Sequence, residues 1–301
     1  MKKIVLLAVI CLGALSCSQT EPKEEQEEKF LVVATTAMLG DAMEEMLDTT
    51  VEVVSLLGPG IDPHVYNPTK KVLDHLAEAD IVVSHGLHFE GRMQDIFEKM
   101  SRKKTVIFLG NALPESKLIE PEDAGGFYDP HIWSDVELWK EALVASIPQL
   151  EKSGHYNKEG AEEYLKKVED LHAYAASQVQ SIPQKNRILL TAHDAFSYFA
   201  KAYGLEVVAL QGISTVAEYG IKDVEKMVDL IVERDIKAVF SESSISPRSM
   251  EAVMSGVEQQ GREVKLGGIL YADAPGEKGS GAETYLTMVK HNVDEIVAAL
   301  K

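Results

Sequence analysis

Short runs of β-branched and aliphatic residues alternate along this chain with segments in which apolar residues recur every three or four positions. The first pattern is typical of buried strands, and the second is typical of amphipathic helices. We predict strands at 30–36, 51–57, 81–86, 105–110, 187–192, 206–212, 237–242 and 263–270. Helical periodicity covers 38–47, 70–80, 194–204 and 222–235. Apolar strands that alternate with helices predict parallel sheets covered by helices on both faces.

A longer periodic segment, residues 157–181, separates the first four predicted strands from the last four. It contains no proline, and one face carries its regularly spaced apolar residues: Tyr164, Val168, Leu171, Ala175 and Val179. At 1.5 Å per residue this helix is about 35 Å long. We therefore predict an α/β fold with two doubly wound, Rossmann-like lobes of mainly parallel sheet, joined by one long rigid helix.

The predicted organisation has five parts. These are a signal peptide at 1–16, a lipidated acidic tether at 17–29, an N-terminal lobe at 30–150, a linking helix at 151–184 and a C-terminal lobe at 185–301.

The N-terminal segment is predicted to be an export signal. Two lysines precede an apolar run that is too short to span a membrane, and Ser16 precedes Cys17. Cys17 resembles the acylated cysteine of a bacterial lipobox, so we expect a membrane-anchored lipoprotein in the periplasm or at the cell surface. An ordinary signal peptide with an incidental cysteine is the alternative.

Composition narrows the chemistry further. The 301 residues include two cysteines, and Cys11 lies in the predicted signal. The mature chain can therefore form no disulfide and, with Cys17 acylated, offers no thiol ligand. The formal net charge of −18 disfavours binding to nucleic acid. We expect a monomer that is held at the membrane through its lipid.

Four potential metal ligands lie near the carboxyl ends of predicted strands, where open α/β sheets bind their ligands. His64 follows the second strand, and His131 lies in the connection after the fourth. His193 follows the fifth strand, and Asp273 follows the eighth. Each residue taken alone is more readily a turn or surface residue. Their coincidence at equivalent strand ends predicts one metal site in the cleft, with two ligands from each lobe.

Neighbouring residues add to this pattern. The tripeptide Asp-Pro-His occurs at 62–64 and again at 129–131, and proline restricts the backbone of its neighbours. Glu242 ends the seventh predicted strand, where it either orients a ligating imidazole or forms a loop salt bridge. His85 and His88 also lie near a strand end, either as orienting groups or as packed side chains, and we favour packing.

The number of ligands separates a binding protein from an enzyme. Catalytic zinc usually keeps one position open for water, whereas four protein ligands predict metal capture. The motifs His-Glu-x-x-His, Gly-x-Ser-x-Gly, Gly-x-Gly-x-x-Gly and the Walker loop are absent from the sequence. Two alternatives remain open. One is a zinc metallohydrolase with Glu242 or Asp194 as its base, and the other is a surface adhesin with a structural metal.

The segments around these residues resemble the metal-binding receptors of bacterial manganese and zinc ABC importers, and most closely their TroA-like branch. The resemblance covers nearly all of residues 30–301 and rests on GIDPHVYNPT (60–69), DPHIWSD (129–135), TAHDAFSYFAKAYGL (191–205), VFSESSISPRSME (239–251) and LYADAPGEKGSG (270–281). It implies two lobes with a buried metal between them, and it implies delivery of that metal to a membrane permease driven by an ATPase. The ligands that it implies are His64, His131, His193 and Asp273.

The ligand types fall between those of the dedicated receptors in this family. The resemblance implies Glu in place of His193 in manganese receptors, and a His-rich loop without the aspartate ligand in zinc receptors. Three imidazoles and one carboxylate suit zinc, which such a site binds more tightly than manganese. We therefore expect one Zn²⁺ or Mn²⁺ per chain as the transported ligand, with zinc the stronger binder in vitro.

Overall fold

The first four strands form one parallel sheet. The structure is a computed structural model that describes residues 29–121, 126–216 and 218–301. The strands are β1 (Leu31–Thr36), β2 (Glu52–Leu57), β3 (Ile81–Ser84) and β4 (Thr105–Phe108), and they lie in the order β2-β1-β3-β4. They are connected by α1 (Ala37–Met46), α2 (Lys70–Glu78) and α3 (Gln94–Met100). The predicted signal and Cys17 lie outside the described residues.

The last four strands repeat this arrangement. They are β5 (Ile188–His193), β6 (Glu206–Gln211), β7 (Ala238–Glu242) and β8 (Lys265–Leu270). β5 pairs with β6, and β7 pairs with β8. β5 also lies beside β7, so the two hydrogen-bonded pairs lie next to each other in the order β6-β5-β7-β8. The helices of this lobe are α6 (Ser197–Tyr203), α7 (Ile221–Arg234) and α8 (Arg248–Gln259).

Three further helices connect and close the lobes. They are α4 (Val136–Glu151), α5 (Lys158–Gln180) and α9 (Tyr285–Leu300). α5 begins after Asn157, whose side chain accepts a hydrogen bond from the backbone N–H of Gly160. The five apolar residues predicted to form one face of this helix are all buried. Short 3₁₀ helices lie at Gly110–Ala112, Glu115–Lys117, Ile132–Ser134 and Gln184–Asn186.

The main hydrophobic core runs through both lobes. A single cluster of buried residues extends from β1 through α5 to β5, β7 and α9. Each lobe has a smaller second cluster on the opposite face of its sheet, around Leu76 in the first lobe and Val253 in the second. α5 and α9 pack against each other, and α1 and α4 pack on α5. The linking helix is therefore part of the core, which stabilises one relative arrangement of the lobes.

The observed strands agree with the predicted ones to within two residues at each end. In the part of the chain that the structure describes, no helix combines the length and apolarity needed to cross a bilayer. The boundaries predicted at 150/151 and 184/185 stay a prediction. The parallel strands of each sheet end at one edge, and these two edges position the residues described next.

Candidate metal centre

The four predicted ligands meet at the carboxyl ends of the strands. His64 lies in the loop between β2 and α2, and His131 directly precedes the 3₁₀ helix Ile132–Ser134. His193 is the last residue of β5, and Asp273 lies three residues beyond β8. The exposed fraction is 5% for His64 and 0% for the other three residues. The folded chain thus brings together all four residues in a site shielded from water.

The spacing of the ligand atoms fits a single ion. The four atoms lie within 4.8 Å of one another. His64 Nε2 is 3.3 Å from His131 Nε2, and the two oxygens of Asp273 lie 3.5 Å from His131 Nε2 and 3.4 Å from His193 Nε2. Bonds of about 2.0–2.2 Å around tetrahedral Zn²⁺ separate the ligand atoms by about 3.3 to 3.6 Å. Because each oxygen of Asp273 faces an imidazole, the carboxylate can bind through one oxygen or through both.

Asp129 orients the imidazole of His131. Its Oδ1 atom accepts hydrogen bonds from the backbone N–H of His131 at 2.9 Å and from Nδ1 of the ring at 2.7 Å. A ring that donates from Nδ1 presents the lone pair of Nε2 to the site. The sequence pattern did not identify Asp129 as a partner of His131. The repeated Asp-Pro-His could have indicated it, because an aspartate two residues before a backbone N–H is typical of an Asx turn.

Glu242 lies beside the imidazole of His193. The two residues end the neighbouring strands β7 and β5, so their side chains meet at one edge of the sheet. Oε1 of Glu242 accepts the backbone N–H of His193 at 2.8 Å, and Oε2 makes a close ion-pair contact with Nδ1 of the ring. This geometry corresponds to the orienting alternative for Glu242. That Glu242 selects the tautomer of a metal ligand stays a prediction.

Burial and neighbouring charges shift the pKa values of the four residues in the site. Burial lowers the pKa of His64 to about 3. Burial opposes protonation of His131 as well, but the carboxylates of Asp129 and Asp273 outweigh it and raise the pKa of His131 to about 9. In the same way, Glu242 and Asp273 overcome burial and hold the pKa of His193 well above its usual value. Despite burial, the imidazoles hold the pKa of Asp273 well below its usual range. A cation that binds here therefore displaces protons from imidazoles.

Two other histidines near a strand end do not belong to this cluster. His85 is buried, its ring lies 4.5 Å from that of Trp133, and its Nε2 lies 2.7 Å from Oγ1 of Thr36. Packing of His85 is therefore confirmed. His88 is exposed and touches the ring of Phe127, so the prediction of a packed His88 is wrong. Its backbone has φ 63°, a left-handed conformation found in tight turns at the surface.

The connection that carries His131 is held by the C-terminal lobe. The hydroxyl of Tyr198 donates to the backbone oxygen of Asp129 at 2.8 Å. The indole Nε1 of Trp133 donates to the backbone oxygen of Ala272 at 2.8 Å. These bonds flank His131 on both sides. The backbone around His131 is thus bonded to the C-terminal lobe, which also carries His193 and Asp273. By its position in the sequence, His131 was assigned to the N-terminal lobe.

Comparison with known proteins gives consistent matches over almost the entire described chain. The family model of ZnuA, the periplasmic component A of a zinc-uptake complex, matches residues 32–299. The manganese-binding lipoprotein MntA of Bacillus subtilis is 40% identical over 301 residues, which cover 99% of this chain and 97% of MntA. The zinc-binding protein TroA of Treponema pallidum is 38% identical over 277 residues, which cover 90% of this chain and 89% of TroA.

Solved structures share the fold. The periplasmic zinc-binding protein TroA of Treponema pallidum superposes with a TM-score of 0.86 at 38% identity, covering 90% of this chain and 99% of TroA. Fe(III)-bound YtgA of Chlamydia trachomatis gives a TM-score of 0.81 at 26% identity, covering 90% of this chain and 98% of YtgA. The predicted two-lobed α/β fold and the resemblance stated above are confirmed. The chain belongs to the ZnuA family, named for the periplasmic component A of a zinc-uptake complex.

Proposed function

We propose that this protein is an extracytoplasmic receptor that captures one Zn²⁺ or Mn²⁺ ion and delivers it to the permease of an ABC importer. His64, His131, His193 and Asp273 are the proposed ligands, and the ion is cargo. The observation that carries this proposal is that four buried candidate ligand atoms, two from each half of the chain, lie within 4.8 Å of one another. The relatives named for manganese and zinc binding support the choice of cargo.

The ligand set favours zinc in vitro while remaining suitable for manganese. Three imidazoles and one carboxylate match the ligand preference of Zn²⁺, and Zn²⁺ binds such sites more tightly than Mn²⁺ by the Irving–Williams order. The second oxygen of Asp273 can add a ligand for an ion that prefers higher coordination. The metal that the cell supplies then decides which ion occupies the receptor.

The same ligand count favours transport over catalysis. Four protein ligands leave no vacant position for an activated water, which a zinc hydrolase requires. The partners that we propose are a membrane permease and its ATPase, since these complete an importer. We further propose that Cys17 carries a lipid and that the chain acts as a monomer. The relative named as a manganese-binding lipoprotein supports the anchor.

Elemental analysis of the lipoprotein purified from its own cells tests the capture of metal directly. We expect about one equivalent of zinc or manganese per chain. Adding Zn²⁺ to metal-free protein at about 1,000 times the dissociation constant should raise the free energy of unfolding by about 4 kcal/mol, because the ion binds the folded state. Replacing any proposed ligand by alanine, as in His131→Ala, should weaken zinc binding about 100-fold or more.

His75→Ala and His291→Ala are the matched controls, because both histidines lie on helices outside the cluster. They should bind zinc as the unchanged protein does. Growth in metal-poor medium should fail with His131→Ala and persist with His291→Ala. Metal binding without this growth defect would favour a structural metal in an adhesin, and hydrolysis lost in His193→Ala would favour an enzyme.

A further inference from the structure

The loop that carries His64 is hydrogen-bonded to the opposite lobe through one carboxylate. The loop runs from 58 to 69 between β2 and α2. Asp62 Oδ1 accepts the backbone N–H of His64 at 2.9 Å, and Asp62 Oδ2 accepts the hydroxyl of Thr215 at 2.6 Å. Thr215 lies in the C-terminal lobe, after β6. One carboxylate therefore joins the backbone of a proposed ligand to the opposite lobe, and we call this contact the Asp62–Thr215 bridge.

Thr215 is itself anchored. Its backbone oxygen accepts the side-chain N–H of Gln211, the last residue of β6, at 2.8 Å. Both Asp62 and Thr215 are half-buried, so water competes for their hydrogen bond less than at an open surface. The bridge thus connects the His64 loop to a strand of the other lobe through two short polar contacts.

The other three proposed ligands are held more firmly. His193 lies within a strand, and the connection around His131 is bonded to the C-terminal lobe through Tyr198 and Trp133. Among residues 29–121, 126–216 and 218–301, the other side-chain hydrogen bonds of the His64 loop stay within its own lobe: Asn67 accepts from Arg92, and Thr69 accepts the backbone N–H of Val72. Among the described residues, the His64 loop is therefore the part of the site with the fewest side-chain hydrogen bonds to the C-terminal lobe.

The exposed fractions of the four side chains also single out His64. His64 retains a 5% exposed fraction, whereas His131, His193 and Asp273 are fully buried. A cation that enters or leaves must pass the side of the site that can open to water. The His64 side is the candidate, and the Asp62–Thr215 bridge joins the loop on this side to the opposite lobe.

We propose that the Asp62–Thr215 bridge positions His64 over the bound cation and sets the rate at which the cation is released. This inference rests on the proposed function of the four-residue site. Thr215 acts through Asp62 on the loop backbone and does not touch the ion, so it is a positioning residue. Breaking the bridge leaves all four ligands in the chain but allows the His64 loop to move away more often.

The test compares zinc release from variants of the full-length lipoprotein. Zinc-loaded protein is mixed with excess EDTA in a stopped-flow instrument, and the loss of bound zinc is followed. Thr215→Val keeps the shape of the side chain but removes the hydroxyl donor, and it should release zinc about five- to tenfold faster. Thr215→Ser restores the hydroxyl and should restore the original rate. Metal content at saturation should remain one equivalent in every variant.

Thr50→Val is the matched control, because Thr50 also donates its hydroxyl to an aspartate, Asp48, but within one lobe. It should release zinc at the original rate. Equal rates for Thr215→Val and the unchanged protein would overturn the proposal, as would a failure of Thr215→Ser to restore the rate. Thr215→Ala serves as a second variant if the valine chain does not fold. A protein that holds no zinc at all would instead contradict the proposed function.

Discussion

Two Asp-Pro-His tripeptides in this protein have the same local structure and different tertiary roles. In each, the aspartate Oδ1 accepts the backbone N–H of the histidine at 2.9 Å. At 129–131 the same oxygen also holds the imidazole Nδ1, and the aspartate is fully buried. At 62–64 the second oxygen instead reaches across to Thr215 of the other lobe.

The difference teaches that one local motif can be held by different tertiary contacts, and we propose that it provides one fixed and one movable ligand. The turn chemistry is local, so it is the same at both places. What differs is the second partner of each aspartate: the imidazole of His131 for Asp129, and the hydroxyl of Thr215 in the opposite lobe for Asp62. His131 is oriented within a connection bonded to the C-terminal lobe, whereas His64 lies in a loop joined to that lobe by one side-chain bridge.

Exchanging the two aspartates for asparagine should separate these roles most clearly. Asp129→Asn removes the charge that supports the imidazole of His131, and we expect zinc affinity to fall about 10- to 100-fold. Asp62→Asn keeps an acceptor for the backbone of His64 and an amide that can pair with Thr215, so we expect a change below about fivefold. Competition with a chelator of known affinity measures both. Equal losses of zinc affinity would mean that the two aspartates contribute equally to metal binding, which would contradict their different roles.

The hydrogen bond between Tyr198 and the backbone of Asp129 predicts a smaller effect, on the free energy of unfolding. Tyr198→Phe leaves the backbone oxygen of Asp129 without its donor in a buried site, and should lower the free energy of unfolding by about 1 to 2 kcal/mol. Tyr174→Phe is the control, because its hydroxyl bonds Asp294 at the exposed surface and should matter by less than about 0.5 kcal/mol. Urea denaturation of metal-free protein gives both values. A Tyr198→Phe change no larger than the control would contradict the firm anchoring of this connection.

The backbone of the His64 loop gives the smallest expected effect. Gly60 has φ +69°, a conformation that disfavours a side chain, although an added Cβ would have room, 3.9 Å from the nearest atom. We expect Gly60→Ala to lower the free energy of unfolding by about 1 kcal/mol. Gly58→Ala, with nothing within 4 Å of its added Cβ and no left-handed backbone, should be close to neutral. Thermal melts of the metal-free variants test this, and a neutral Gly60→Ala would show that the loop conformation is not imposed by its glycine.

Several features of the site were accessible from the chain alone because they depend on local order. Apolar runs and helical periods predict the strands, and the direction of parallel strands implies that the residues at their carboxyl ends share an edge. His193 and Glu242 follow from this rule, since they end adjacent strands. His88 did not follow it, because a left-handed turn carries its side chain to the surface.

The sequence by itself determined the α/β alternation, the long helix and the four residues that could bind a metal. The first two depend on side chains near one another in the chain, and the four residues follow from the rule that the carboxyl ends of parallel strands share an edge. Only the tertiary structure decided which lobe holds His131, that Asp129 supports its imidazole, and that Asp62 reaches Thr215. These contacts join residues distant in sequence, and hydrogen-bond partners of a half-buried carboxylate depend on how two lobes pack around a shared core. Local patterns carry no information about that packing.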